Sequence, residues 1–406
     1  MKKILHIISQ YPGKTGSGIY LKELIREGNK KGYTQGLVAA FSKGEENIDL
    51  NISNKFFYPV LFNTERMPFP IVGMSDVMPY ETTKYDDMTS EMLDKWKRGF
   101  TEAIKKGVDD FKPDIIISHH LWLLTSLTKK IAPDIKVISI CHGTDIVQFQ
   151  KCPQYRQYVV EGCGQVDLIL SLNQEQREII HNLYSIPKEK IAIIGGGYND
   201  DIFYPPTEKL KDNRIRLIYA GKISFSKGVL SLIKAYNMMD VDRDEIELLI
   251  VGSGIGEEEK AIREASDNSR LKVKFLGELS QEKLGQMFRQ NHIFILPSFY
   301  EGLSLVTIEA LASGLMVVAT AIPGLKSFLG DEINNSGIIQ YVDLPKVDGL
   351  NIPLKEELFL YERRLKEGME RQIKRLKQGY AMNENIKSKI DKLSWSNIYN
   401  KIEKYF

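Results

Sequence analysis

Apolar residues in this chain alternate between two patterns. Short unbroken runs such as Ile4–Leu5 with Ile7–Ile8, Leu37–Phe41 and Ile115–Ile117 are separated by longer stretches in which apolar positions recur at helical spacing. Runs of this length, bounded by turn residues, read as strands buried on both faces of a sheet. The pattern predicts strands over 2–9, 35–41, 114–118, 136–140, 168–171 and 190–194, with helices over 90–110 and 173–184. The alternation then starts again, with strands over 215–221, 245–251, 273–277, 292–296 and 315–320. Helices over 229–239, 281–289, 361–377 and 393–406 accompany them. Two successive halves of this kind mean two doubly wound α/β domains. Pro205-Pro206 and the charged run Glu208 to Arg216 read as the linker between them.

The most informative stretch runs from Leu296 to Gly314. A buried strand ends at Pro297-Ser298, and from Ser304 the residues Leu305, Ile308 and Ala312 mark a helix that Gly314 stops. Glu301 lies in the turn and Glu309 sits about two turns further on. A strand-to-helix turn at the carboxyl edge of a parallel sheet is where open α/β folds bind ligands. The amides of Gly302, Leu303, Ser304 and Leu305 would carry the positive end of the helix dipole and suit a phosphate. Carboxylates instead accept hydrogen bonds from hydroxyls. Acids flanking an anion-binding helix end therefore suit a ligand with phosphates and hydroxyl-rich rings, such as a nucleotide-sugar. On the two acids alone, an ordinary βα unit with surface glutamates reads equally well.

The motif as a whole alters that balance. Glu301-Gly302 with Glu309, preceded by Leu296-Pro297-Ser298 and followed by Ala312-x-Gly314 and the Val317-Val318 strand, resembles the signature of the retaining glycosyltransferase family four. The resemblance extends over most of the chain. It implies the GT-B fold, in which two Rossmann-like domains face across a cleft and the C-terminal helix crosses back to the first domain. The implied division is 1–205 plus a closing helix of about 388–406, against 206–387 for the donor domain. Trp395 would anchor that helix. The resemblance assigns Glu309 to ribose hydroxyls, Glu301 to hydroxyls of the transferred sugar, and Lys222 and Lys227 to the diphosphate. It places His142, in His142-Gly-x-Asp145 after a strand, against the transferred sugar, and makes His120 a weaker candidate. Gly16 and Gly18 correspond to a glycine-rich turn facing the cleft. Gly197 and Gly252 are further candidates at strand ends.

There are departures. Lys222 stands where the family has arginine, Leu303-Ser304 replaces Phe-Gly, Met316 replaces proline, and Gly196-Gly197-Tyr198-Asn199 replaces Asn-Gly-Val-Asp. A lysine keeps the charge but loses the bidentate fork.

Composition narrows the picture further. At 406 residues the chain is comfortable for two domains with real cores. A net charge of +2 argues against a nucleic-acid binder with a wholly basic surface. Three cysteines, eleven residues apart, fit neither a disulfide framework nor zinc spacing. The short apolar run after Met1, broken by His6, reads as a strand rather than a signal peptide, and no run reaches membrane-spanning length.

Gly13-Lys14-Thr15 lacks the upstream glycine of a P-loop, position 8 being Ile. Asp242-Arg243-Asp244 precedes a strand, at the edge away from the ligand crevice, so no metal or other cofactor is expected. The aromatic stretch 55–73 reads as core packing rather than a membrane- or acceptor-facing loop. The lysines of helix 90–110 are diluted by acids and read as a solvated face. Gly252-Ser-Gly254-Ile-Gly256 lacks dinucleotide spacing, which sets an oxidoreductase aside.

The sequence thus points to a cytoplasmic, metal-independent retaining glycosyltransferase. Its partners would be a nucleotide-sugar donor and a glycan or lipid-linked acceptor of surface polysaccharide synthesis, with peripheral membrane contact left open. A GT-B nucleotide-sugar epimerase and a non-catalytic GT-B scaffold are the alternatives.

Overall fold

A computed structural model describes residues 2–13, 15–46, 50–75, 78–207, 214–348 and 352–406. Lys14 of the rejected P-loop and most of the expected linker, 208–213, lie outside the described residues. The chain divides into two compact units, Met1–Gly196 with Ile398–Phe406, and Gly197–Asn397.

The first unit contains β1 (Lys3–Ile8), β2 (Thr34–Ser42), β3 (Phe57–Phe62), the short β4 (Val72–Gly73) and β5 (Thr83–Lys84), β6 (Ile115–His119), β7 (Lys136–Ile140), β8 (Leu168–Ser171) and β9 (Ile191–Ile193). Its main sheet is parallel, in the order β3-β2-β1-β6-β7-β8-β9. Alternate residues of β2 show why the strands are apolar throughout. Leu37, Ala39 and Phe41 pack with Leu21 and Ile25 of helix Gly16–Lys30. Val38 and Ala40 join the opposite core with Trp96, Phe100 and Ile104 of helix Ser90–Phe111. The aromatic stretch after residue 55 takes its core reading: Tyr58, Phe62 and Phe69 are buried. All three cysteines are buried and free.

The second unit contains β10 (Ile215–Ala220), β11 (Ile246–Val251), β12 (Lys272–Gly277), β13 (Ile293–Leu296), β14 (Met316–Thr320), β15 (Ile339–Val342) and a small antiparallel pair, β16 (Val347–Asp348) with β17 (Ile352–Pro353). Its main sheet, β12-β11-β10-β13-β14-β15, is parallel throughout. In both sheets the strand order reverses beside the first strand, between β1 and β6 and between β10 and β13. Those two switch points are where such sheets open a ligand crevice.

The compact units part at 196/197, upstream of the expected 205/206. Residues 198–205 pack on the second unit: Phe203 lies 5.9 Å from Phe288, and the Ile202 carbonyl accepts from Arg289 at 2.8 Å. The closing segment is also shorter than 388–406. Helix Glu384–Asp391 buries Ile386 and Ile390 within the second unit. Trp395 stays there too, its amide donating to the Tyr198 carbonyl at 2.9 Å. The residues that dock on the first unit are Tyr399, over Tyr33, and Glu403, which accepts from the Tyr33 hydroxyl at 2.7 Å. Helix Lys355–Lys377 starts six residues before the expected residue 361, and Leu358 of the added stretch packs beside the core that holds Tyr361, Leu365 and Met369. Among the described residues no helix is long and apolar enough to cross a membrane.

Candidate active site

At the switch point of the second unit, three loops converge at the carboxyl ends of β10, β11 and β13. Their approach is so close that side chains are excluded. A Cβ on Gly228 would stand 2.0 Å from the Pro297 carbonyl oxygen, and one on Gly252 would stand 1.9 Å from that of Gly221. Gly228 also holds φ at +68°, a region other residues avoid. Pro297 is braced from below, where its carbonyl accepts from the buried Tyr361 hydroxyl of helix Lys355–Lys377 at 2.9 Å.

This packing brings Lys222, Lys227 and Glu301 together. Lys227 Nζ lies 2.7 Å from Glu301 Oε1, which also accepts from Ser298 Oγ at 2.9 Å. Lys222 is pushed down to about 8, first by burial and then by the like charge of Lys227, with Glu301 opposing. Its backbone carbonyl accepts from Tyr219 at 2.6 Å, fixing the turn that carries it. Gly302 and Leu303 complete the turn, and helix Leu305–Ala312 begins with Ser304 at its cap. The Ser304 side chain makes no capping hydrogen bond to that helix start; its Oγ lies 2.8 Å from Thr307 Oγ1. Glu309 is buried on the same helix. The arrangement presents a helix start and two ammonium groups beside two carboxylates, chemistry for a phosphate next to hydroxyls.

The first unit's switch point gathers histidines. His119 and His120 follow one another at the end of β6, and His142 follows β7. His142 is partly exposed, with Tyr20 edge-on at 5.2 Å and His120 at 4.8 Å. Burial holds His142 well below the usual histidine range and His120 at about 4, so both are neutral at pH 7. The loop bearing His142 is organised by the wholly buried Asp145. Its carboxylate accepts from the amides of Leu121 (2.8 Å), His142 (3.2 Å), Gly143 (2.7 Å) and Ile146 (3.2 Å).

Gly16 and Gly18 open the helix that carries Tyr20, and the Tyr20 hydroxyl donates to the Gly195 carbonyl at 2.9 Å. Gly18 packs directly on the Gly13 backbone, whereas a Cβ at Gly16 would meet nothing within 4 Å among the described residues. Gly197 is accounted for by packing: a Cβ there would lie 2.9 Å from the Leu393 carbonyl.

The family model described as "Glycosyltransferase Family 4" matches residues 15–202, and the one described as "Glycosyl transferases group 1" matches residues 200–343. The chain belongs to glycosyltransferase family four.

An uncharacterised glycosyltransferase of Methanocaldococcus jannaschii is 25% identical over 41% of this chain and 45% of its own length, so the match spans under half of that relative. The solved sucrose-phosphate synthase of Thermosynechococcus elongatus superposes with a TM-score of 0.74 at 16% identity, covering 100% of this chain and 98% of that one. Anabaena HepE in complex with UDP and glucose gives 0.69 at 14% identity, covering 100% and 99%. Both likenesses extend to the whole GT-B fold.

For a family member, the second unit gathers Lys222, Lys227, Gly252 and the 301–309 motif, while His142, His120, Gly16 and Gly18 sit together in the first. Tyr20, His119 and Asp145 were missed as members of that group. A histidine beside His120 and an aspartate three residues after His142 were signals for two of them. Tyr20 gave none, because its role depends on helix placement.

Proposed function

We propose that this chain is a retaining glycosyltransferase that moves a sugar from a nucleotide-sugar donor to a glycan or lipid-linked acceptor in surface polysaccharide synthesis. The reading is supported above all by the convergence of Lys222, Lys227 and Glu301 with a helix start at one switch point. Departure of a nucleoside diphosphate leaves negative charge on the phosphates. Preorganised ammonium groups and a helix start can stabilise that charge, so the proposed reaction uses no metal. Glu309 takes the ribose hydroxyls and Glu301 the sugar hydroxyls. Donor binding would draw Lys227 from Glu301 towards phosphate, freeing the carboxylate for the sugar.

The test is a thermal-shift screen across nucleoside diphosphates and their sugars. A ligand at about one hundred times its Kd stabilises by ~2.7 kcal/mol. One nucleotide class should raise the melting temperature of the wild type, and Lys222→Ala with Lys227→Ala should abolish the shift. A wild type that responds to no nucleoside diphosphate overturns the donor assignment. With donor and acceptor in hand, the anomeric configuration of the product decides retention.

A further inference from the structure

Two imidazoles of the first unit share a single hydrogen bond. His119 Nδ1 and His142 Nε2 stand 3.1 Å apart, and their rings stack at 7°. Burial keeps both rings neutral at pH 7, so each carries one proton. One nitrogen of the pair donates and the other accepts.

The choice is made on the far side of His119. Its Nε2 is buried and meets no hydrogen-bond partner among the described residues. Were His142 the donor, the proton of His119 would sit on that Nε2 as a buried N–H with nothing to receive it. Orphaned buried N–H groups are rarer than under-used acceptors. With the proton on Nδ1, the buried atom is only a bare lone pair. His6, whose ring lies 6.0 Å from that of His119, follows the same rule. Its Nε2 faces Gln35 Oε1 at 2.9 Å, an oxygen that can only accept, and its partnerless Nδ1 is left bare.

We propose that His119 is a positioning residue: it donates from Nδ1 to His142 Nε2 and fixes His142 as the Nδ1–H tautomer. The remaining ring nitrogen of His142 is then a hydrogen-bond donor to a ligand oxygen and not a base. That the oxygen belongs to a transferred sugar or its phosphate rests on the glycosyltransferase reading; the tautomer does not.

The test is a two-bond ¹H–¹⁵N correlation spectrum of the ligand-free, full-length protein labelled in histidine, with His142 assigned by its loss in His142→Gln. Expected is a protonated Nδ1 and a bare Nε2 on His142, with at least about a tenfold excess of that tautomer. His119→Asn, whose amide donates from nearly the same place, keeps the pattern. His119→Leu, which has no donor, moves the proton towards Nε2. A wild-type His142 protonated on Nε2 overturns the proposal, and so does a pattern unchanged in His119→Leu. If His119→Leu does not fold, the wild-type and His119→Asn spectra decide. A failed nucleotide screen would remove the glycosyltransferase reading and leave this result standing.

Discussion

Lys222 couples the proposed donor site to pH. Its value in the fold, about 8, lies below its ordinary 10.5. Between those values the unfolded chain binds more protons, so Lys222 adds stability as pH rises through that window. Ligand binding runs the other way, because a diphosphate favours the ammonium form. Affinity for the nucleoside diphosphate is expected to be full below about pH 8 and to fall above it, by at most about tenfold per pH unit. Calorimetry at pH 7, 8 and 9 checks this, and Lys222→Arg, always charged, should flatten the profile. Asp145 is the matching residue of the first unit. In Asp145→Asn an amide N–H meets donors that now share two carboxylate oxygens. A loss of about 3 kcal/mol is expected in urea unfolding, together with altered His142 resonances.

At the scale of elements, the site is a packing result. Glycines at 228 and 252 let the loops after β10, β11 and β13 touch through backbone alone. Gly228→Ala, with its Cβ driven at the Pro297 carbonyl, should cost about 2 kcal/mol or more and weaken nucleotide binding. Urea midpoints and the thermal-shift assay read the two effects. The strands and the 305–312 helix were legible because burial on two faces leaves unbroken apolar runs and a helical period. The Lys227–Glu301 pair was not legible. Motif reading gave those residues separate ligands, and only the fold shows the two side chains 2.7 Å apart.

At the scale of the whole molecule, the repeated alternation announced two parallel sheets, whereas the ends of the units depended on contacts. Tyr399, not Trp395, packs in the first unit, where its ring neighbours Tyr33 and Phe406. Tyr399→Ala is expected to destabilise that unit by about 3 kcal/mol. In a Trp395→Phe background the fluorescence of Trp96 and Trp122, both in the first unit, reports the change.

Local pattern determined the strands, the doubly wound class and the 301–309 motif, because periodicity, turn residues and helix signals act over a few residues. Tertiary structure alone decided the strand order that creates two switch points, the pairing of Lys227 with Glu301, and the stacking of His119 on His142. Those contacts join residues 74 and 23 positions apart. Their energies come from burial and geometry that exist only once the sheets have assembled.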